Sequence, residues 1–516
     1  MENLAYVSDG NDGIKLDNIK SNRKSFNYNE ALEATQTGNF HLLLLLVCGL
    51  GYMAASVEII GVSVVMFSAD CDLRLTVQQQ GLLGSIGYFG VVLSSHAMGF
   101  SADTWGRVKT IRLSLLFSVC VSLASVFSIN TTMLLVCRFF TGFFISASQS
   151  CVYTLLGEYH SSKTRMNHIT VLASFLVIGL IYIQGMAVLL LPLKLTFLSP
   201  WRLILLVNTF PSICCSIGFF FIPESPKYFL DQGRQEDCIK VLQKVYSLNT
   251  GNPKDTYPCN SIVFHEAEDR MFGITEKLKL MSRQTITIFN REHILQTLKF
   301  SFVAFLISMI GAGLYMWLPP VLNYMVTYEG EKHTVCDVVK LVKVKSSNLT
   351  YEEKCSVEKD LTHFKIFFFI NVAYFVFFVM TAVLTTVVGK RLKTSFGRHI
   401  LKTSVLVFWY GIGAVFAIVI YWSNVFILSL ISLAMVAQIA NMIGLVSGIG
   451  SEYYPSQINA MAVCVLMMFS RLGIAIGSNL FGPLLPLYCE NMFFIGSGII
   501  IVSILIVCTF PRGGNK

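Results

Sequence analysis

The sequence has unusually few charged residues. Only 13% of its 516 residues are charged, whereas soluble globular chains carry about 25%. The hydrophobic residues, 54% of the chain, form uninterrupted runs such as 40–67, 203–222 and 405–422. Each run has about the 20 residues that a helix needs to cross the hydrocarbon core of a bilayer. The sequence therefore excludes an ordinary soluble fold, and runs that are continuous rather than alternating favour membrane helices over a β-barrel.

Several functional motifs are also missing. The sequence has no Gly-x4-Gly-Lys-Ser/Thr phosphate-binding loop, which argues against a nucleotide-driven pump. The 14 cysteines make no closely spaced metal-type cluster, and His160, His168 and His399 are scattered, so we expect these histidines next to solvent. Residues 1–39 are polar and mixed in charge, so they do not read as a cleavable signal peptide. We expect no cofactor and no metal, and no enzymatic activity.

Hydropathy predicts an all-α membrane protein with twelve spanning helices. The predicted spans are 41–67, 81–101, 110–129, 132–156, 169–191, 202–222, 299–325, 363–388, 400–422, 425–450, 459–482 and 489–510. They divide the chain into a tail at 1–40, a six-helix bundle at 41–222, a linker at 223–297, a second six-helix bundle at 298–510 and a tail at 511–516.

Lysine and arginine mark one side of the membrane. They precede the first span, as at Lys20, and follow the second, fourth and eighth spans, as at Lys109, Lys163 and Lys390. The positive-inside rule then places both tails and the 223–297 linker in the cytoplasm. The net charge of +9 reflects this topology, so we expect a lipid bilayer and no nucleic acid as the partner.

One loop on the opposite side, residues 326–362, is long. It contains the sequon Asn348-Leu349-Thr350, which predicts glycosylation of Asn348 on the outer side. Cys336 and Cys355 lie in the same loop, and we predict a disulfide between them that contributes about 3 kcal/mol of loop-closure entropy. Two free thiols are the alternative.

The two halves carry matching segments. Gly157-Glu158-Tyr159 corresponds to Ser451-Glu452-Tyr453 at an offset of 294 residues, and both segments follow an even-numbered span. Gly106-Arg107 likewise corresponds to Gly397-Arg398. Matching elements at matching positions predict a duplicated six-helix unit, whose substrate site lies near the midplane between the halves. Chance similarity of short polar loops is the alternative.

The loop after the second span contains Asp103, Gly106 and Arg107, and it resembles the signature loop of the major facilitator superfamily. Arg138 and Gly142 in the fourth span resemble a structural element of the same superfamily. The resemblance implies two pseudo-symmetric six-helix bundles and a cytoplasmic ion-pair latch that favours the outward-open state. The implied latch residues are Asp103, Gly106, Arg107, Glu158, Arg165 and Glu224, with Arg398 and Glu452 as a weaker second-half counterpart.

The run Pro223–Leu230 is similar to one shared by sugar porters, organic ion transporters and the synaptic vesicle glycoprotein 2 group. A short loop after the first span, a long one after the seventh and the stretch Tyr28–Thr35 favour the vesicle glycoproteins. The acidic pair that this group carries in the first span is reduced here, because Ala55 replaces one acid and only Glu58 remains.

Two charges interrupt the apolar spans. Glu58 lies in the first span and Arg471 in the eleventh, at a cost of at least about 2.5–3.5 kcal/mol each. We expect Glu58 to bind a cationic group or a proton and Arg471 to bind an anionic group; the alternative is a structural Glu58–Arg471 pair. Pro319-Pro320 should break the seventh helix. Polar and aromatic residues that could complete a binding site are Gln149, Gln184, Tyr315, Trp317, Asn371, Gln438 and Asn441.

These patterns predict a secondary transporter that moves a small organic solute, an organic ion or a sugar-like molecule, by alternating access. We expect a monomer in the plasma membrane or an intracellular vesicle membrane, with coupling to a proton or another ion as an open question. The alternative function is a glycoprotein that binds a ligand or a protein partner without transport.

Overall fold

The computed structural model describes residues 25–193, 198–259, 261–262, 279, 282–283, 286–328, 333–348, 361–392, 395–454 and 456–511. Within these ranges the strands are limited to a two-residue parallel pair, β1 (Ser25–Phe26) and β2 (Ser261–Ile262). Eleven segments are long and apolar enough to cross a membrane. The last of them, Met461–Cys508, contains two helices that meet at Tyr488, where φ is −136° and ψ is 38°. The fold therefore has the twelve predicted spans.

The first six spans form one bundle. Its helices are α2 (Asn39–Ile60) continuing as α3 (Val62–Ser68), the short α4 (Asp70–Leu73), α5 (Val77–Trp105), α6 (Arg107–Val126), α7 (Thr131–Glu158), α8 (Arg165–Leu190) and α9 (Pro200–Phe221). Local chemistry fixes where these helices begin. Thr76 and Gln79 form a capping box at the start of α5, and Asn130 Oδ1 accepts a hydrogen bond of 2.8 Å from Met133 N at the start of α7.

The last six spans form the second bundle. Its helices are α12 (Ile294–Thr327), the loop helix α13 (Val335–Asn348), α14 (Thr362–Arg391), α15 (Ser395–Trp422), α16 (Phe426–Gln438), a 3-10 turn (Ile439–Met442), α17 (Ile443–Tyr453) and α18 (Ser456–Cys508). The predicted span limits differ from these helices by a few residues, because hydropathy ends where the polar turns of a helix begin.

The expected break at Pro319-Pro320 is wrong, because α12 continues through both prolines to Thr327. Pro319 is buried, as are Trp317, Leu318 and Val321 around it. Neighbouring helices therefore hold this part of α12 in place, which is how membrane helices tolerate proline.

The predicted Cys336–Cys355 disulfide is also wrong, because Cys336 is bonded to Cys489. Cys355 lies outside the described residues. Helix α13 packs on α18 and brings the two Cα atoms to 5.5 Å, which is within the usual range for a disulfide. A Lys340–Glu490 ion pair of 2.7 Å lies beside the bond. The loop helix is thus attached to the turn between the eleventh and twelfth spans, a contact that separation along the chain does not reveal.

A small unit outside the bundles joins the first tail to the linker. It contains β1, α1 (Tyr28–Ala34), α10 (Pro226–Asp231), α11 (Gln235–Thr250) and β2. Ala31, Leu32, Cys238 and Leu242 form the centre of its own apolar cluster. The tail and the linker are therefore packed together rather than independent.

Candidate functional site

The two bundles contact each other closely at one end. Asn479 Nδ2 on α18 donates a hydrogen bond of 2.6 Å to Ser85 Oγ on α5. One turn away, Ser478 Oγ lies 3.4 Å from the carbonyl oxygen of Gly81. A Cβ added at Gly84 would lie 2.7 Å from Ser478 Oγ, so the two helices approach here as closely as a glycine allows. We call this end of the molecule the Gly81 end.

Aromatic contacts close the same end on another side. The ring of Phe67, at the end of α3, lies 4.9 Å from His363 and 5.6 Å from Phe364, at the start of α14. A Cβ added at Gly185 on α8 would lie 3.5 Å from the ring of Phe368. Helices of both bundles are therefore packed together along the Gly81 end.

At the opposite end, where Asp103 lies, three glycines have open space beside them. A Cβ added at Gly99, Gly389 or Gly448 would have no heavy atom within 4 Å. The ion pairs that involve Asp103 and Arg107 have their described partners in the first bundle and in α10. The contacts between the halves that are named above thus lie at the Gly81 end.

Arg471 lies between the two bundles near mid-depth. Its Nη1 donates a hydrogen bond of 2.8 Å to Ser95 Oγ across the gap from α18 to α5. Tyr52, Tyr88 and Cys464 lie within electrostatic range of the guanidinium. Within the described part of the chain, no carboxylate forms an ion pair with it. The side chain is partly buried.

Glu58 is paired with Arg138, so the alternative of a Glu58–Arg471 pair is wrong. Glu58 Oε2 lies 3.1 Å from Arg138 Nη1 and accepts a hydrogen bond of 2.8 Å from Ser122 Oγ. Arg138 Nη2 also donates to Ser122 and Ser125. Glu58 and Arg138 are 2% and 3% exposed, and Glu58 Oε1 is buried without a described hydrogen-bond partner. The pair lies inside the first bundle, away from the gap.

The other predicted binding residues fall into two groups. Three side chains, Tyr315, Asn371 and Trp317, have hydrogen-bond partners. Tyr315 donates to Asn371 at 2.9 Å, and Trp317 donates to the carbonyl oxygen of Ser478 at 2.8 Å. Three glutamines keep buried polar atoms without a described partner, which is unusual in a native structure. These atoms are Gln149 Oε1, Gln184 Oε1 and Nε2, and Gln438 Nε2. Asn441 Nδ2 donates to Gln438 Oε1 at 2.8 Å.

The predicted latch residues are brought together around Arg107. Its guanidinium lies 3.1 Å from Asp103, 3.1 Å from Glu158 and 3.8 Å from Asp231 in α10. Ser225 donates a short hydrogen bond to Glu158. Asp231 and Ser225 were not predicted, because nothing in the spacing shows that the linker folds back onto the first bundle.

Glu224 caps a helix, a role that its charge alone does not predict. Its carboxylate accepts hydrogen bonds of 2.9 Å from Val108 N and 3.1 Å from Lys109 N, so it caps the start of α6. Gly106 precedes this cap with φ of +110°, and a Cβ there would lie 2.4 Å from Glu224 Oε2. Only glycine provides both the conformation and the space.

The remaining predicted residues are more dispersed. Arg165 lies 3.5 Å from the carbonyl oxygen of His160, and Arg398 is exposed. The side chain of Glu452 is outside the described part of the structure, so the second-half latch stays a prediction.

Gly142 packs α7 against α5, since a Cβ there would lie 2.0 Å from the carbonyl oxygen of Gly87. Glycosylation of Asn348, the last residue of α13, also stays a prediction.

The expectation of solvent-adjacent histidines is wrong for His399, which is 6% exposed. It is also wrong for His160. Its ring lies 3.8 Å from that of His168 and 4.9 Å from that of His41, and the residue is 2% exposed. Burial lowers the pKa of His160 to about 4. A cavity of about 150 Å³ adjoins it, lined also by Glu33 and Lys163. His41, His160 and His168 belong to the ends of different helices, so their positions in the sequence do not indicate that they cluster.

Comparison with known proteins identifies the family. The family model described as "Sugar (and other) transporter" matches residues 17–326, which is more than half of the chain. The chain belongs to this transporter family. Synaptic vesicle glycoprotein 2B from Mus musculus is 26% identical over 324 residues, which cover 58% of this chain and 47% of that protein. Synaptic vesicle glycoprotein 2A from Homo sapiens is 27% identical over 354 residues, covering 63% and 48% respectively. The chain thus spans about half the length of these relatives.

Solved structures support the fold. The xylose transporter XylE from E. coli, in a partially occluded inward-open conformation, aligns with 92% of this chain and 100% of its own at a TM-score of 0.64 and 13% identity. Its inward-open conformation aligns with 91% of this chain and 96% of its own, at a TM-score of 0.62 and 14% identity. The predicted major facilitator fold is confirmed.

Proposed function

We propose that the protein is a secondary transporter that moves a small organic solute, sugar-like or an organic ion, across a membrane by alternating access. The observation that carries this proposal is the pairing of two six-helix bundles that are packed together at the Gly81 end around a polar centre. Arg471 and the glutamine atoms without a described partner are the polar groups of these bundles that we assign to contact with the solute.

The orientation follows from two independent features. Cys71, Cys336 and Cys489 are disulfide-bonded, and the last two lie beyond the Gly81 end of the second bundle, which fits an oxidising compartment. Basic residues gather at the Asp103 end, as the positive-inside rule expects of a cytoplasmic surface. Both tails are then cytoplasmic, and the conformation described above is closed to the outside.

The contacts of the predicted latch residue Arg107 agree with a conformation that is closed to the outside. Arg107 is held by acids of its own bundle and of the linker helix α10, and none of its ion pairs among the described residues joins the two bundles. A latch that holds the bundles together at the cytoplasmic end would favour the outward-open state, and its release accompanies opening to the cytoplasm.

Glu58 is the candidate for ion coupling. It is a buried carboxylate with one oxygen bound to Arg138 and the other without a described partner. Protonation of Glu58 would leave Arg138 without its counter-charge, and this would change the packing of α2 against α7. One related structure is described as a D-xylose-proton symporter, which supports a proton as the coupling ion.

The experiment is uptake by the full chain reconstituted in proteoliposomes. Labelled neutral sugars and organic ions are tested with and without an imposed pH gradient, and counterflow is measured with unlabelled solute inside. Saturable uptake that a pH gradient drives is the expected result. Empty liposomes and protein locked by the Ser85–Asn479 cross-link argued in the Discussion serve as controls.

The other function remains an outcome of the same experiment. If a solute raises the melting temperature of the purified protein but no solute is taken up or exchanged under any gradient, the protein is a ligand-binding membrane glycoprotein. The vesicle glycoproteins among its relatives make this outcome worth measuring directly.

A further inference from the structure

The first spanning helix, α2, is capped by a side chain from the linker. Its N-cap residue is Gly38, which has no side chain to accept a hydrogen bond from the first turn. Asn249 Oδ1, near the end of α11, takes that place and accepts a hydrogen bond of 3.0 Å from Phe40 N. A Cβ at Gly38 would lie 2.9 Å from Asn249 Cα, so glycine also gives the linker helix room to approach. The start of α2 is therefore fixed by a residue that follows Phe40 by 209 positions.

The amide nitrogen of Asn249 holds the end of the tail. Nδ2 donates hydrogen bonds of 3.0 Å to the carbonyl oxygen of Thr35 and 2.7 Å to that of Gln36. Gln36 has φ of +56°, which is unfavourable for a residue with a side chain, so this contact supports a turn that the tail alone would not prefer. One side chain thus joins the tail, the linker and α2.

His41 connects Asn249 to the end of α7. Its Nδ1 lies 3.0 Å from Asn249 Nδ2, and its Nε2 lies 3.2 Å from the carbonyl oxygen of Tyr159, the residue that follows α7. A single tautomer satisfies both contacts, because Nδ1 then accepts from Asn249 while the protonated Nε2 donates to Tyr159. Asn249 therefore sets the proton position that lets His41 bond to the end of α7.

The residue before Tyr159 is Glu158, an acid of the predicted latch. Its carboxylate lies 3.1 Å from the guanidinium of Arg107. The tail and the linker also contact it directly, since Tyr28 OH donates a hydrogen bond of 2.8 Å to the carbonyl oxygen of Glu158 and Ser225 Oγ donates to its carboxylate. Because Glu158 and Tyr159 are consecutive, the contact of His41 with Tyr159 also restricts the acid that holds Arg107.

We propose that Asn249 is a positioning residue for the conformational change of the transport cycle. By capping α2 and orienting His41 toward Tyr159, it keeps Glu158 opposite Arg107 while the protein is closed to the outside. Arg107 held in this way is withdrawn from contacts that tie the two bundles together at the Asp103 end, and such contacts favour the outward-open state. Loss of the Asn249 side chain should therefore raise the outward-open fraction. The inference rests on the proposed function for its two states.

The test measures how often the Gly81 end opens in the purified full chain. Ser85 is fully buried where α5 meets α18, so a cysteine placed there reacts with a maleimide only when this end opens. Every variant carries Ser85→Cys, and the chain without it gives the background from the native cysteines. While the outward-open state is a minority, the labelling rate is proportional to its fraction. The melting temperature of each variant is measured alongside.

Two variants of Asn249 separate capping from positioning. Asn249→Ala should raise the labelling rate about three- to tenfold, which is the effect of losing about one net hydrogen bond. Asn249→Asp keeps an acceptor for Phe40 N, which suits the start of a helix, but offers no N–H group to His41, so it should raise the rate as well. Labelling of Asn249→Asp at the rate of the unmodified protein would mean that capping is the whole role and would overturn the proposal. Asn252→Ala, at an exposed position just beyond α11, is the matched control and should leave the rate unchanged.

A double-mutant cycle shows whether Asn249 acts through Glu158. Glu158→Gln keeps the shape of the side chain but removes the charge that attracts Arg107, so it should itself raise the labelling rate. Adding Asn249→Ala to Glu158→Gln should then raise the rate by less than about twofold. A full, independent effect of Asn249→Ala in that background would overturn the proposal, as would a lower melting temperature with unchanged labelling.

Uptake in proteoliposomes separates this inference from the proposed function. If the labelling changes as expected but the unmodified chain takes up no solute, the positioning role of Asn249 is retained and transport is rejected. If solute is taken up but Asn249→Ala leaves the labelling rate unchanged, transport is retained and the positioning role is rejected.

Discussion

Glu58 Oε2 and Arg138 Nη1 are 3.1 Å apart inside the first bundle, and neither side chain is more than 3% exposed. Removing one partner of a buried ion pair costs about 3–5 kcal/mol, because the other charge is left uncompensated. Glu58→Gln should therefore lower the melting temperature of the purified protein and abolish any effect of pH on uptake.

The double variant Glu58→Gln/Arg138→Gln separates these two effects. It removes both charges, so its melting temperature should lie above that of Glu58→Gln, while pH-dependent uptake stays absent. A double variant no more stable than the single variant would show that the two side chains do not act as a pair. A single variant with unchanged pH dependence would reject Glu58 as the coupling residue.

Gly106 and Glu224 make a second testable contact. Gly106→Ala places a Cβ in a backbone conformation with φ of +110° and 2.4 Å from the Glu224 carboxylate that caps α6. We expect a loss of about 1–3 kcal/mol or more, seen as a lower melting temperature. Gly233→Ala is the matched control, because its φ is +72° but a Cβ there meets no heavy atom within 4 Å. Equal losses in both variants would mean that the Glu224 contact contributes nothing.

Much of the fold could be predicted because hydropathy is a property of each residue and its immediate sequence neighbours. The twelve spans and the Asp103–Arg107 loop are local features of this kind. The Glu58–Arg138 pair and the return of Asp231 to Arg107 depend on which helix faces are adjacent, and apolar spans have almost no periodic pattern that reveals their faces. The same reason explains why the sequence leaves open a Glu58–Arg471 pair, although the two side chains have different partners in the structure.

The Cys336–Cys489 bond gives a chemical test of the fold. After proteolysis at a cleavage site introduced between α14 and α15, Cys71, Cys336 and Cys355 lie in the first fragment and Cys489 in the second. The two fragments should stay joined on a non-reducing gel and separate with reductant. Cys336→Ser and Cys489→Ser should each release the fragments, and Cys355→Ser should not. Fragments that separate without reductant would contradict the Cys336–Cys489 bond, as the pairing predicted from the sequence requires.

His160 should make stability depend on pH. Burial lowers the pKa of His160 to about 4 in the folded protein, whereas an exposed histidine has a pKa of about 6.5, so the unfolded chain binds a proton more readily. Stability contributed by the neutral ring is therefore complete above pH 6.5 and is lost as the pH falls from 6.5 towards 4.

The measurement is the melting temperature of the purified protein across this pH range. His160→Gln should flatten the decline. His168→Gln should flatten it partly, because His168 lies 3.8 Å away and its charge opposes protonation of His160. If the decline is as steep in His160→Gln as in the unmodified chain, other groups cause it.

The Ser85–Asn479 contact tests alternating access itself. These side chains meet at 2.6 Å between α5 and α18, at the end where the two bundles are packed together. If transport requires this end to open, a covalent link between the two positions must stop it. Ser85→Cys/Asn479→Cys treated with a short dithiol-reactive cross-linker should lose uptake while keeping solute binding from the Asp103 end, and a cleavable linker should allow uptake to recover on reduction. Each single-cysteine variant receives the same treatment and should retain uptake. Full uptake by the cross-linked double variant would mean that the bundles do not separate at the Gly81 end, and the alternating-access proposal would have to be abandoned.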